Sequence, residues 1–139
     1  MREILFRAKT VPNCKKVING GVIKNPKWVY GYIDLGYMHA CKTALISDEK
    51  GNNVYKCQYE TIGQYTGLTD KNGTKIFEGD ILKFLYDEND KKPTFYSIEW
   101  KCDRACFGYT ETADKMLEVD ALHCEVIGNI YDNPKILEG

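Results

Sequence analysis

The chain of 139 residues is 43% hydrophobic and 28% charged, which is typical of one folded globular domain and excludes an intrinsically disordered chain. Its net charge of -1 excludes a strong field over the whole molecule that would attract nucleic acid or a membrane. No segment approaches the ~18 consecutive apolar residues of a membrane helix, and the charged N-terminus does not resemble a signal peptide.

The N-terminal part of the chain is predicted to form short strands joined by tight turns. Ten Tyr, five Phe and two Trp in the whole chain favour pleated strands. Pro12 and Asn13 interrupt the first apolar segment, while residues 19–21 and 50–53 have turn compositions rich in Gly and Asn. The predicted strands are residues 4–8, 17–18, 22–23, 28–33, 43–46 and 54–59.

The middle of the chain, residues 61–80, contains four glycines, and glycine disfavours a regular helix. We interpret Gly63 and Gly67 as turn residues and predict tight turns at residues 70–73 and 78–80. This stretch is therefore predicted to redirect the chain several times over a short distance.

The C-terminal part is predicted to contain further strands. Residues 81–86 are apolar on both faces except at Lys83, which predicts a central strand, and residues 95–100 alternate as a strand does. Residues 110–122 fit a helical turn or a strand. The remaining predictions are a charged loop at 87–93, a strand at 124–131 interrupted by Gly128, and a short helix beginning at Asn133 and Pro134.

Many short strands closed by Gly and Asn turns predict a mainly β protein, built as a small antiparallel barrel or sandwich. An SH3-like barrel is one architecture that fits this pattern. We expect a single domain over residues 1–139. Residues 1–60 are predicted to form a hairpin-rich N-terminal sub-region, and residues 61–139 the barrel-like part.

Three sequence blocks together resemble one known family. Residues 2–8 (REILFRA) open the chain, residues 125–134 (EVIGNIYDNP) close it, and residues 63–81 carry the pattern GQYTGL, Asp70, Asn72, Gly73, Ile76 and EGDI. These blocks resemble the YopX family of phages and prophages. The resemblance implies a β-rich protein of the bacterial host cytoplasm that forms oligomers in some members, and it implies no catalytic residues.

Six cysteines, at positions 14, 41, 57, 102, 106 and 124, raise the question of disulfides or metal binding. In the cytoplasm we expect them to stay reduced, with most of them packed as small hydrophobic residues. The weak metal candidates are Cys102 and Cys106, which are separated by three residues, together with His39 and Cys41. A catalytic cysteine would need a base such as His123 beside Cys124, but adjacent residues of a strand point to opposite faces, which argues against contact between these two side chains.

Acidic residues do not form a convincing catalytic pattern. Glu78 and Asp80 flank Gly79, and further acids lie in the predicted loop at 87–93, where carboxylates usually bind their own backbone or water. Phosphate-binding glycine loops and a nucleophile elbow are absent from the sequence. We therefore expect a protein without enzymatic activity and without a cofactor, and a metal-dependent enzyme stays as the second alternative.

A binding surface is the better-supported hypothesis. Residues 1–42 contain eight Lys or Arg against two acids, whereas residues 43–139 contain eleven against eighteen, so the N-terminal part is basic. Aromatic rings among basic residues can stack on nucleotides while the cations neutralise phosphate. The same rings suit a protein core or a subunit interface, and the charge difference also suits simple solvation. The candidate binding residues are Trp28, Tyr30, Tyr32, Lys24 and Lys27.

The sequence thus predicts a non-enzymatic interaction or assembly module. The expected partner is a second copy of the chain or another phage or host protein. Membrane association is not expected. A small β-barrel that binds nucleic acid is the first alternative.

Overall fold

The computed structural model describes residues 3–16, 21–39, 43–84, 93–112 and 114–138, with the side chains of residues 34–39 outside this description. The chain divides into two compact units, Glu3–Gln64 and Tyr65–Gly139. We predicted sub-regions that divide after residue 60, and the structure divides the chain after Gln64. Nine Lys or Arg against five acids give the N-terminal unit a charge of +4.

The N-terminal unit is an antiparallel sheet with the strand order β6-β5-β4-β1, beside a two-stranded ribbon of β2 and β3. Its strands are β1 (Phe6–Lys9), β2 (Cys14–Lys15), β3 (Val22–Ile23), β4 (Trp28–His39), β5 (Thr43–Asp48) and β6 (Val54–Gln58), followed by a 3-10 turn at Tyr59–Thr61. Strand β7 (Gly63–Thr69) begins in this unit, where Gly63 and Gln64 pair with β1.

One face of this sheet forms the apolar core of the N-terminal unit. Strand residues alternate between faces, so that every second side chain of β1, β4, β5 and β6 points the same way. The buried core residues are Ala8, Val29, Ile46, Tyr55 and Cys57. The opposite face carries the side chains between them in sequence.

Glycine at position 31 permits a close approach between β4 and β5. A Cβ atom on Gly31 would overlap the carbonyl oxygen of Ser47, which belongs to the backbone of the neighbouring strand. The residue therefore stands at a point where only a hydrogen side chain fits.

The C-terminal unit contains a four-stranded antiparallel sheet with the order β11-β10-β9-β12, and a ribbon in which β7 pairs with β8. Its elements are β8 (Lys75–Phe77), β9 (Asp80–Phe84), β10 (Thr94–Lys101), β11 (Cys106–Tyr109), α1 (Glu118–Ala121), β12 (Cys124–Asn129) and a 3-10 helix at Pro134–Glu138. Strand β9 lies between β10 and β12, which confirms the prediction of a central strand.

Aromatic and aliphatic side chains fill the core of this unit around Phe84. The ring of Phe84 meets Tyr109 edge-on at a centroid distance of 5.6 Å and Tyr96 at 5.9 Å. The other buried residues of this core are Ile76, Leu82, Ile98, Phe107, Met116, Ala121 and Cys124.

Several sequence predictions need correction. Gly63 and Gly67 belong to strand β7 and do not form a separate turn, although Gly67 has φ +89° at a register shift in the pairing with β8. Strand β11 was not predicted, and the ambiguous segment 110–122 contains the short helix α1. Val22–Ile23 pairs with Cys14–Lys15. The predicted strand at 17–18 lies outside the described residues, as does most of the predicted loop 87–93.

The prediction of a mainly β, antiparallel fold that ends in a short helix is confirmed. Over the described residues the strand order within each unit is open, and neither sheet closes into a barrel.

No helix in the described part of the chain is long and apolar enough to cross a membrane.

Candidate interaction surfaces

The central sequence block is organised around the buried carboxylate of Asp70. Its Oδ1 accepts hydrogen bonds from the backbone N–H groups of Asn72 at 2.8 Å and Thr74 at 2.9 Å. Its Oδ2 accepts a third, from the N–H of Val126 in β12, at 2.9 Å. The Lys71 N–H donates to the carbonyl of Cys124 in the same strand. Asp70 therefore holds the β7–β8 turn against strand β12.

Gly79 and Asp80 perform a similar structural task at the entry to β9. Gly79 has φ +92°, its N–H donates to the carbonyl of Ile98 at 2.8 Å, and its carbonyl accepts from the N–H of Ile130 at 2.9 Å. Asp80 is 1% exposed, and its Oδ2 accepts from the N–H of Phe77 at 2.7 Å. The two acids that flank Gly79 therefore differ in burial: Glu78 is half-buried, whereas Asp80 is buried and binds the backbone of Phe77.

The candidate metal ligands are not gathered by the described structure. Cys102 is exposed and Cys106 half-buried, at the two ends of the turn between β10 and β11. The side chain of His39 and the whole of Cys41 lie outside the described residues. Among the side chains that the structure does describe, no three His, Cys, Asp or Glu lie close enough together to hold a metal ion.

Three other cysteines, Cys14, Cys57 and Cys124, are buried thiols. Burial raises the pKa of Cys57 to about 12 and that of Cys124 to about 11, since an apolar surrounding disfavours the thiolate. His123 is exposed next to the buried Cys124. These two thiols are protonated near neutral pH and pack as apolar groups.

The buried thiol of Cys57 makes stability sensitive to alkali. An unfolded thiol ionises near its ordinary pKa of 9.0, whereas folded Cys57 keeps its proton to about 12, so the stabilisation is complete below pH 9 and is lost as the pH rises toward 12. Urea unfolding of the wild type and of Cys57→Ala should show their difference shrinking by about 2 kcal/mol between about pH 7.5 and 10.5. A difference that stays constant over this range would contradict the buried-thiol assignment.

The predicted binding aromatics lie on one face of the N-terminal sheet, the face opposite the core. Tyr30 is 44% exposed and Tyr32 48%, at alternate positions of β4. Trp28 is half-buried, because the guanidinium of Arg7 in β1 covers its ring at 4.7 Å from Cζ to the ring centroid. We call this surface the outer face.

The predicted basic partners, Lys24 and Lys27, do not lie with these rings. Lys24 is in the connection between β3 and β4, and Lys27 extends its Nζ to 5.5 Å from the ring centroid of Tyr55, a residue of the inner core. The strand register places Lys9 beside Trp28, and Lys56 of β6 has its side chain on the outer face. These two lysines were missed because sheet order alone brings them to this face.

A groove in the C-terminal unit was also missed by sequence reasoning. It has a volume of about 370 Å³. Trp100 forms part of its wall, with its ring packed edge-on against Phe107 at 4.9 Å. The residues that line it are Thr66, Leu68, Trp100, Ala105, Cys106, Phe107, Lys115, Met116, Leu117 and Glu118.

Large apolar side chains are exposed along this groove and on the helix that follows it. Trp100 is 40% exposed, Leu117 49%, Val119 58% and Leu122 68%. Asp120 fixes the segment, since its Oδ2 accepts hydrogen bonds from the Leu117 N–H and the Tyr109 hydroxyl. We call these four residues the apolar patch. The spacing of Val119 and Leu122 by three residues was the available sequence signal, because such residues share one side of a helical turn.

Comparison with known proteins identifies the family but no activity. The family model described as YopX protein matches residues 13–138, nearly the whole chain. No curated protein matches the chain. Among solved structures, the crystal structure of protein EF1440 from Enterococcus faecalis is similar with a TM-score of 0.54 and 21% identity, covering 99% of each chain, and this likeness concerns the fold alone. The family match over almost all residues means that this chain belongs to the YopX family.

Proposed function

We propose that this protein is a non-enzymatic assembly module of phage or prophage origin that pairs with a second copy of itself through the apolar patch. The observation that carries the proposal is the exposure of Trp100 and Leu117 in the wall of a groove of about 370 Å³, together with that of Val119 and Leu122 in the segment that follows Leu117. Clustered apolar side chains on a monomer's surface commonly mark an interaction site.

The shape and charge of the patch favour a second copy as the occupant. It combines a concave groove with the exposed side chains of Val119 in the helix α1 and Leu122 just after it, so that in a two-fold dimer this segment of each copy can face the groove of the other. Lys115 and Glu118 both line the groove, and a two-fold arrangement can set the Lys of one copy opposite the Glu of the other. A self-complementary surface of this kind is what an isologous contact requires.

The structural roles of the buried carboxylates and thiols support a function without catalysis. The carboxylates of Asp70 and Asp80 are engaged by backbone N–H groups of neighbouring turns and strands. Buried thiols with raised pKa values are poor nucleophiles at neutral pH. The packing of three cysteines as buried thiols also suits a reducing compartment such as the bacterial cytoplasm, where we propose that the protein acts.

Charges introduced into the apolar patch are expected to abolish self-association. Wild-type protein should form a dimer in size-exclusion chromatography with light scattering, and Leu117→Glu with Leu122→Glu should elute as a monomer, because two buried carboxylates would face an apolar partner surface. The matched control is Leu137→Glu, which changes a leucine of the same unit that is 43% exposed and lies outside the groove.

A wild-type protein that remains monomeric at concentrations of several hundred micromolar would overturn the proposal. A dimer that survives the double substitution and is lost in Leu137→Glu would move the interface to another surface.

A further inference from the structure

The geometry points to a second binding site, for single-stranded nucleic acid, on the outer face of the N-terminal sheet. The site consists of Tyr30 and Tyr32 of β4 as stacking platforms, with Lys9 on the neighbouring strand β1 and Lys56 on β6, beyond β5, for the phosphates. It is carried by observations on the N-terminal unit, independently of the assembly surface proposed above.

The two tyrosines have the spacing that successive unstacked bases need. They occupy alternate positions of one strand, so their Cα atoms are about 7 Å apart and their side chains leave the sheet on the same side. Both rings are exposed by almost half. Flat sheets that carry aromatic residues at such positions stack two or three bases of an unpaired strand.

Charge on this face and in this unit suits a polyanion. Nine Lys or Arg against five acids give the N-terminal unit +4, although the whole chain is -1. Arg7, Lys9 and Lys56 occupy outer-face positions of β1 and β6, and the side chains that the structure describes at outer-face positions of these strands include no Asp or Glu, since Asp48 of β5 lies at an inner-face position opposite Gly31. Cations placed around stacking rings can neutralise the backbone of a bound strand.

Arg7 gives the row of rings a defined end. Its guanidinium covers Trp28, so the first aromatic residue of the row is closed to a base while the two that follow are accessible. The positive charge of Arg7 is held 4.7 Å from the Trp28 ring centroid, at the same end of the face as Lys9, which pairs with Trp28. Arg7 itself is 6% exposed, so at this end of the face the half-buried Lys9 is the cation that can contact a bound phosphate.

Unpaired strands suit this face better than a duplex. Stacking on Tyr30 and Tyr32 needs bases that are free to leave their neighbours, and the bases of a duplex are already stacked and paired. Protein association through the same rings is the competing use of the surface, and the experiment separates the two.

Fluorescence anisotropy with a labelled, mixed-sequence 12-nucleotide DNA, its RNA equivalent and a DNA duplex of the same sequence tests the inference. We expect single strands to bind more tightly than the duplex, and Tyr30→Thr with Tyr32→Thr to weaken that binding at least about 20-fold, since each stacked base contributes about 5-fold or more. Threonine retains a high strand propensity, so far-UV circular dichroism should stay unchanged. Tyr59→Thr, at a tyrosine that is 51% exposed in the 3-10 turn, is the matched control and should bind as the wild type does.

Salt dependence provides a second readout that a folding defect cannot mimic. Lys56→Gln should lower the slope of log K against log salt by about 0.7, because one phosphate contact is lost from a single strand. Lys50→Gln, at an exposed lysine of the β5–β6 turn, should leave the slope unchanged.

Three results would overturn the inference. They are the absence of binding at low salt and about 100 μM protein, binding of duplex and single strand that is equal and insensitive to the tyrosine substitutions, and loss of a protein–protein contact in the tyrosine variant without any nucleic-acid binding by the wild type.

Discussion

Replacing Asp70 with alanine is expected to lower the free energy of unfolding by about 3 kcal/mol, because three backbone N–H groups lose their acceptor together. Two of these groups belong to the β7–β8 turn and the third belongs to Val126 in β12, so the loss affects a local turn and a long-range contact at once. Urea unfolding followed by far-UV circular dichroism measures the change.

Two further variants sharpen the interpretation of this experiment. Asp70→Asn keeps one carbonyl oxygen and should fall between the wild type and Asp70→Ala. Asp48→Ala is the control, since Asp48 accepts comparable hydrogen bonds from Asn52 and Asn53 in an exposed turn of the N-terminal unit and should cost much less. A loss below about 1 kcal/mol for Asp70→Ala would contradict the role assigned to this carboxylate.

Replacing Gly79 with valine is expected to cost about 3 kcal/mol of stability. The backbone at this position has φ +92°, which a β-branched residue adopts only under strain, and relaxing it would break the hydrogen bonds to Ile98 and from Ile130. Thermal unfolding should show a markedly lower midpoint.

Gly73→Val separates backbone strain from the hydrogen bonds that surround Gly79. Gly73 has φ +82° in the exposed β7–β8 turn, where an added Cβ would meet no atom within 4 Å. Its N–H makes one local hydrogen bond, to the carbonyl of Asp70 at 3.0 Å, whereas Gly79 bonds to two other strand segments, so Gly73→Val should cost mainly the conformational strain, about 1–2 kcal/mol. Equal effects at the two positions would indicate that the hydrogen bonds of Gly79 contribute little.

Asp70 and Gly79 both belong to the sequence block at residues 63–81 that carries the family resemblance. In the structure this block supplies turn geometry and a buried carboxylate, while Thr66 and Leu68 are its residues in the wall of the groove. The exposed aromatic and apolar side chains of both candidate surfaces come from outside the block.

Sequence reasoning was most accurate where a signal is local. The turn at residues 70–73 and the turn at residues 78–80 follow from the conformations open to Gly, Asn and Asp, and the central strand β9 follows from its uninterrupted apolar run. It was least accurate where pairing overrides propensity. Strand β7 contains two glycines and is extended because it pairs with β1 and β8. Strand β11 is extended because it pairs with β10.

The candidate sites divide in the same way. The exposed pair Tyr30 and Tyr32 could be selected from the sequence, because alternation along one strand places both on the same side. Their basic neighbours were chosen as Lys24 and Lys27 by proximity in sequence, whereas the order β6-β5-β4-β1 brings Lys9 and Lys56 to that face. The groove with Trp100 and Leu117 joins segments from β7, β10, β11 and the loop before α1, and no local pattern encodes it.

The family, the antiparallel β class and the main turns can be read from the amino-acid sequence, since they depend on residue types and on backbone conformations set within a few positions. The neighbours of each strand, the cations near the aromatic rings and the places where apolar side chains remain exposed become known with the folded structure. Sheet pairing and burial are cooperative and non-local, so a residue's neighbours across a sheet depend on the energy of the whole strand order and not on its neighbours along the chain.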